Sequence, residues 1–68
     1  MTNILKVFDE RIRANPAGLV IYEHEVKRFV DALREMAREP PSADGLEESI
    51  RAGFFRFRGL PVRVANPQ

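Results

Sequence analysis

The sequence predicts a small α+β domain: N-terminal helix, short strand, amphipathic helix, short helix and C-terminal β-hairpin, forming a small three-stranded sheet with helices on one face. Three observations predict it. Apolar residues recur at helical spacing near the N-terminus and again from Val26 to Ala37. A β-branched run, Leu19-Val20-Ile21-Tyr22, lies between them. The stretch from Gly53 to Gln68 alternates apolar residues with arginine on both sides of a Gly-Leu-Pro break and contains no acid. Alternation of period two is what a half-buried strand requires, because successive side chains point to opposite faces.

The first helix is expected over 1–15. Ile4, Leu5, Phe8 and Ile12 share one face, with Lys6, Asp9, Glu10, Arg11 and Arg13 elsewhere on the wheel. Thr2 or Asn3 caps its start. Asn15-Pro16 ends it, since proline biases the preceding residue away from helical dihedrals. Val7 falls off the main stripe and gives this helix a second apolar contact. The strand at 19–22 is expected to be central and buried on both faces. In the second helix, 23–38, Glu23 and Glu25 occupy the first turn, where negative charge suits the positive end of the dipole. Val26, Phe29, Val30, Leu33, Met36 and Ala37 make its apolar face. Glu23–Lys27, Lys27–Asp31 and Glu25–Arg28 fall at ion-pair spacing on the outer side, and Glu39-Pro40-Pro41 stops the helix.

Asp44 with Glu47 three residues later has the form of a capping box. Leu46 and Ile50 share a face, so a short helix is expected over 46–52, with Gly53 as its stop. The hairpin is expected over 54–64, turning around Arg58-Gly59-Leu60-Pro61. Pro61 has no N–H, so the last strand begins at a sheet edge or just after the turn. Phe55, Phe57, Val62 and Val64 fall on one face; Arg56, Arg58 and Arg63 fall on the other. The hairpin strands run antiparallel, and Leu19–Tyr22 adds beside one of them, the sequence leaving open which.

Composition narrows the function classes. At 68 residues the chain is one domain with a small core. It contains no cysteine, which excludes disulfides and thiolate metal sites. One histidine, His24, does not make a conventional zinc site. Small scaffolds without such staples commonly associate with copies of themselves or with a larger partner. No apolar run approaches the ~18 residues of a membrane span, and no signal-peptide pattern is present, so the expected location is cytoplasmic, in a bacterial or infected host cell. Net charge is only +1, but residues 1–48 hold seven basic and ten acidic side chains, whereas 49–68 hold four arginines and no acid.

No catalytic arrangement stands out. Adjacent helical positions diverge by about 100°, so Glu23, His24 and Glu25 do not converge on one substrate. Asp44, Glu47 and Glu48 lack the alternating ligand spacing of a calcium loop. The glycines form no phosphate-binding loop, and no serine is paired by motif with a base. The expectation is therefore a non-enzyme with no cofactor.

The run Leu19-Val20-Ile21-Tyr22-Glu23-His24-Glu25 leads into a Leu/Arg-rich helix, and Phe57-Arg58-Gly59-Leu60-Pro61-Val62-Arg63-Val64 follows near the C-terminus. This combination, over residues 19–65, resembles a type of small bacteriophage or prophage-encoded protein in which a strand leads into a helix and a Gly-x-Pro-Val strand pair closes the molecule. The resemblance implies a phage context and a binding or assembly role, and carries over no functional residue.

The expected function is a protein-binding module, an assembly subunit or a modulator of a host protein. Its partner is another protein or a second copy of the chain. Arg56, Arg58 and Arg63 are the expected contact residues, with Tyr22 and Phe54 as aromatic anchors, because arginine and aromatic side chains dominate interface energetics. The alternative is a nucleic-acid-binding ribbon. Arginine forks match phosphate oxygens, and interleaved phenylalanines stack on single-stranded bases.

Overall fold

A computed structural model describes residues 3–65 of the chain. The elements, in order, are α1 (Ile4–Ala14), β1 (Leu19–Tyr22), a single 3-10 turn (Glu23–Glu25), α2 (Val26–Met36), α3 (Ala43–Ala52), β2 (Arg56–Phe57) and β3 (Leu60–Ala65). The α+β class and the three-stranded sheet agree with the sequence.

At the start of α1, Asn3 Oδ1 accepts the N–H of Leu5 at 2.9 Å, so Asn3 is the cap; the alternative cap, Thr2, lies outside the described residues. The second helix is shorter than 23–38. Its first three residues form the 3-10 turn, and its α-helical part ends at Met36. Pro40 accounts for the early end, because its ring would clash with the carbonyl four residues before it, that of Met36. Met36, expected on the apolar face, is therefore left exposed in the last turn. The third helix starts three residues before the expected 46. Ser42, not Asp44, is its cap, the Ser42 Oγ accepting from the Gly45 N–H at 3.3 Å. Gly53 ends it with a φ of +83°, a left-handed conformation that glycine adopts without steric cost.

The strand order is β1-β3-β2. β1 is therefore an edge strand, which corrects the expectation that it is central and buried on both faces. Leu19 and Ile21 are buried while Val20 is intermediate and Tyr22 exposed. A continuous apolar run suits a central strand or an edge equally; here the chain covers only one side of it. β3 takes the centre, parallel to β1 with Leu19 opposite Val62, and antiparallel to β2 with Phe57 opposite Leu60. A parallel pair needs a long crossover, and α2, α3 and β2 supply it.

The hairpin turns on only two residues, Arg58 (φ +52°) and Gly59 (φ +81°). Two positive φ values in a two-residue loop match the right-handed twist of the flanking strands. Pro61 follows the turn closely, as expected. The Val62 N–H donates to the Phe55 carbonyl at 3.3 Å, so the alternating direction of backbone groups turns the nitrogen of Pro61 away from β2. It faces the level of Gly18, before β1 begins, and no ladder bond is lost.

The helices cover one face of the sheet. Ile4, Leu5 and Phe8 of α1, Val26, Phe29 and Val30 of α2 and Ile50 of α3 join Leu19, Ile21, Phe57 and Val62 in one core. Phe29 is at its middle. Its ring meets Phe8, Phe57 and Phe55 edge-on at centroid distances of 5.0, 5.3 and 5.8 Å, the geometry that the aromatic quadrupole favours.

Candidate functional site

The other face of the sheet has no helix on it. It is built by the outward members of the three strands: Val20 and Tyr22 from β1, Pro61, Arg63 and Ala65 from β3, and Arg56 from β2. Strand pairing sets their neighbours. Arg63 stands opposite Val20, and Arg56 opposite Pro61. Among the described residues, the face thus combines small apolar surface with two cations, and none of these strand positions is a carboxylate.

Of the three arginines expected to share this face, two do. Arg56 and Arg63 are exposed, and neither has an acidic partner among the described residues. Among the described residues, Arg56 Nη1 donates to the carbonyl of Gly59, at 3.3 Å.

Arg58 corrects the expectation. A residue in the left-handed conformation leaves the pleat, so period-two alternation fails at this position. Its side chain reaches the helical side of the sheet. There Nε lies 2.5 Å and Nη2 3.2 Å from the two carboxylate oxygens of Asp9 on α1, and the guanidinium carbon sits 4.9 Å from the Phe57 ring centroid. Hydrogen bonding to Asp9 raises the Arg58 pKa above its usual value. Arg58 ties the hairpin tip to α1.

The aromatic candidates occupy different places. Tyr22 is 43% exposed at the end of β1. Its ring lies flat against His24, with centroids 5.8 Å apart, and the Arg11 guanidinium is 5.5 Å from its centroid. Phe54 is 82% exposed. Its N–H closes the end of α3 by donating to the Ser49 carbonyl at 3.0 Å, and its chain position leads directly into β2.

Glu25 was expected in a solvated helix turn, and the structure buries it. Arg11 grips it through two hydrogen bonds of 2.7 Å each. Glu25 Oε1 also accepts the Tyr22 N–H at 2.8 Å, and Arg11 Nη1 donates to the Val20 carbonyl at 3.2 Å. The Arg11 hydrogen bonds hold the Glu25 carboxyl below the usual range against the opposing effect of burial, with help from the Tyr22 N–H. No local pattern marks this role, because Glu25 meets its partner only when α1 packs beside β1.

At one end of the helix-free face the surface dips into an open hollow of about 310 Å³, walled chiefly by Ala17, Gly18, Leu19, Val20, Pro61 and Arg63. Gly18 and Pro61 both line it. A Cβ on Gly18 would stand 3.2 Å from the Pro61 carbonyl oxygen, so glycine permits the close approach of the two strands. Sequence alternation identifies Val20 and Arg63 as outward residues, but only the parallel register brings Gly18 beside Pro61.

Among the described residues, no three His, Cys, Asp or Glu side chains cluster as a metal site, and no helix is long and apolar enough to cross a membrane. The arrangement offers cationic and apolar contacts. In comparisons with known proteins, no family model, curated protein or solved structure matches the chain.

Proposed function

We propose that this protein is a non-enzymatic, protein-binding module that docks through the helix-free face of its sheet. The observation that carries this reading is the placement of two arginines together on the helix-free face. Among the described residues, several arginines of the helices also lack a carboxylate partner, but Arg56 and Arg63 share one sheet face, beside Val20 and Pro61, with no acidic partner. An acidic partner surface supplies the missing charges, and arginine is well suited to bidentate contact with its carboxylates. In keeping with the resemblance to small phage-encoded proteins, the role is that of an assembly subunit or a modulator of a host protein.

The test is affinity capture from lysate of the producing cell with three baits: wild type, Arg56→Glu with Arg63→Glu, and Arg58→Glu. A protein retained by wild type and by Arg58→Glu, and lost from the double variant, supports the proposal. Equal retention by all three baits overturns it.

A second reading, binding of single-stranded nucleic acid, is favoured by the two exposed aromatics, Tyr22 and Phe54, on the same molecule as the unpaired arginines. It predicts affinity for an unstructured oligonucleotide that falls steeply with salt and loses slope in the double variant. A protein-docking face predicts no such affinity.

A further inference from the structure

The docking face has an internal asymmetry: one of its two unpaired arginines, Arg63, stands on the wall of the hollow, and the other does not. The hollow walls are mostly hydrocarbon, from Ala17, Gly18, Leu19, Val20 and Pro61, with Asn15 as an uncharged polar neighbour. Arg63 is a single cation beside them, opposite Val20 in the parallel register. Among the described residues its guanidinium has no carboxylate within ion-pair distance. A ligand group matched to this place has an apolar body and an anionic neighbour.

We infer that the hollow receives a bulky apolar side chain of the partner protein, with a carboxylate adjacent to that side chain pairing with Arg63. The inference rests on the docking reading and deepens it by naming the anchor. The hollow's openness decides between a side chain and a free metabolite. Small-molecule sites enclose most of their ligand's surface, and this depression is broadly open and continuous with the sheet face, so the remainder of the occupant must be covered by its own protein. Charge complementarity decides the flanking group. Tyr22 and Arg56 extend the contact along the face on either side, in keeping with an anchor surrounded by weaker contacts.

The inference is tested on the intact protein by following backbone amide shifts in a titration with three probes: 3-phenylpropanoate, 3-phenylpropanamide and propanoate. The expected result is saturable shifts at Ala17, Gly18, Val20 and Arg63 with phenylpropanoate. Binding should be about fivefold weaker with the amide, the share that an exposed charge pair contributes, and absent with propanoate. Arg63→Gln should bring the acid down to the level of the amide. Ala17→Phe, at an exposed loop position, should abolish the shifts by filling the hollow. Equal binding of acid and amide, or no saturable shift at these amides up to the solubility of the probes, overturns the inference. So does a concentration-dependent dimer that shifts the same amides without any probe, since the occupant is then a second copy.

The two proposals fail separately. Loss of the captured partner in the Arg56/Arg63 double variant without any probe binding leaves the docking reading standing and removes the anchor. Probe binding with a partner indifferent to the double variant removes the docking reading.

Discussion

Arg11 and Glu25 form a bidentate ion pair that closes the outer edge of β1. An edge strand presents unpaired backbone groups, a template on which another strand can add. On β1 the outward groups of Val20 and Tyr22 occupy that edge, and the ion pair takes one from each, the Val20 carbonyl through Arg11 and the Tyr22 N–H through Glu25. The other edge belongs to β2, which is only two residues long. Strand addition is thus obstructed on one side and short of length on the other, while the helix-free face stays open. This division leaves the face, and neither edge, as the surface available for the proposed docking.

Removing either member of the pair should expose the β1 edge. Glu25→Ala and Arg11→Ala are each expected to lose about 2–3 kcal/mol of stability, since each leaves a charged group without its counter-ion and one backbone group without a partner. Both should also show a weight-average mass that rises with concentration faster than that of wild type in light scattering. If both variants keep the wild-type mass across the range, the pair has no role in protecting the edge.

Acid should act through the same carboxyl. Glu25 has a folded-state pKa below its unfolded value, chiefly because Arg11 hydrogen-bonds the ionised form. Its contribution is therefore fully present above about 4.3, the ordinary carboxylate value, and is lost as pH falls through the lower folded-state pKa. The urea midpoint of wild type should exceed that of Glu25→Gln at pH 7, and the gap should narrow as the pH falls below the ordinary carboxylate value. Other carboxylates are common to both proteins and cancel in the difference. A gap that persists unchanged in acid would show that the amide fails for a reason other than charge.

Phe29 is where this small core is most sensitive. It is fully buried and touches aromatic rings from α1, from the segment before β2 and from β2 itself. Phe29→Ala should cost about 3–5 kcal/mol, comparable with the whole stability of about 3–10 kcal/mol that a domain of this length holds. Circular dichroism should therefore find the variant largely unfolded near 37 °C. Phe29→Leu, which keeps most of the apolar volume, should remain folded with a lowered melting temperature. A Phe29→Ala variant melting within a few degrees of wild type would mean that the edge-on ring contacts add little.

Particular residues show what was legible in the sequence. Ile4, Leu5 and Phe8, and Val26, Phe29 and Val30, identified both long helices because a buried helical stripe repeats within a few residues. Phe57, Val62 and Val64 identified the inner face of the hairpin by the same local logic at period two. The position of β1 was not legible: Leu19–Tyr22 satisfies a central or an edge strand, and strand order depends on where α2 and α3 return the chain. Arg58 was misplaced because alternation assumes an unbroken pleat, and one left-handed residue re-aims the side chain toward Asp9. Glu25 was misread because its partner comes from α1. At the candidate site, Arg56 and Arg63 could be read from the sequence; the hollow between Gly18 and Pro61 needed the register.

Arg56 and Arg63 should separate binding from stability. Neither has an acidic partner among the described residues, so replacing them removes no intramolecular ion pair, and exposed positions of this kind usually shift stability by no more than about 0.5 kcal/mol. Arg56→Ala and Arg63→Ala should therefore keep urea midpoints close to wild type. Arg58→Ala also leaves the helix-free face unchanged, but it frees the hairpin tip from α1. Amide exchange should then accelerate at Gly59 and Leu60 in Arg58→Ala and stay at the wild-type rate in Arg63→Ala. Partner affinity should follow the opposite order, weakened by Arg63→Ala and Arg56→Ala and little changed by Arg58→Ala. An affinity loss confined to Arg58→Ala would move the contact surface to the α1 side of the hairpin.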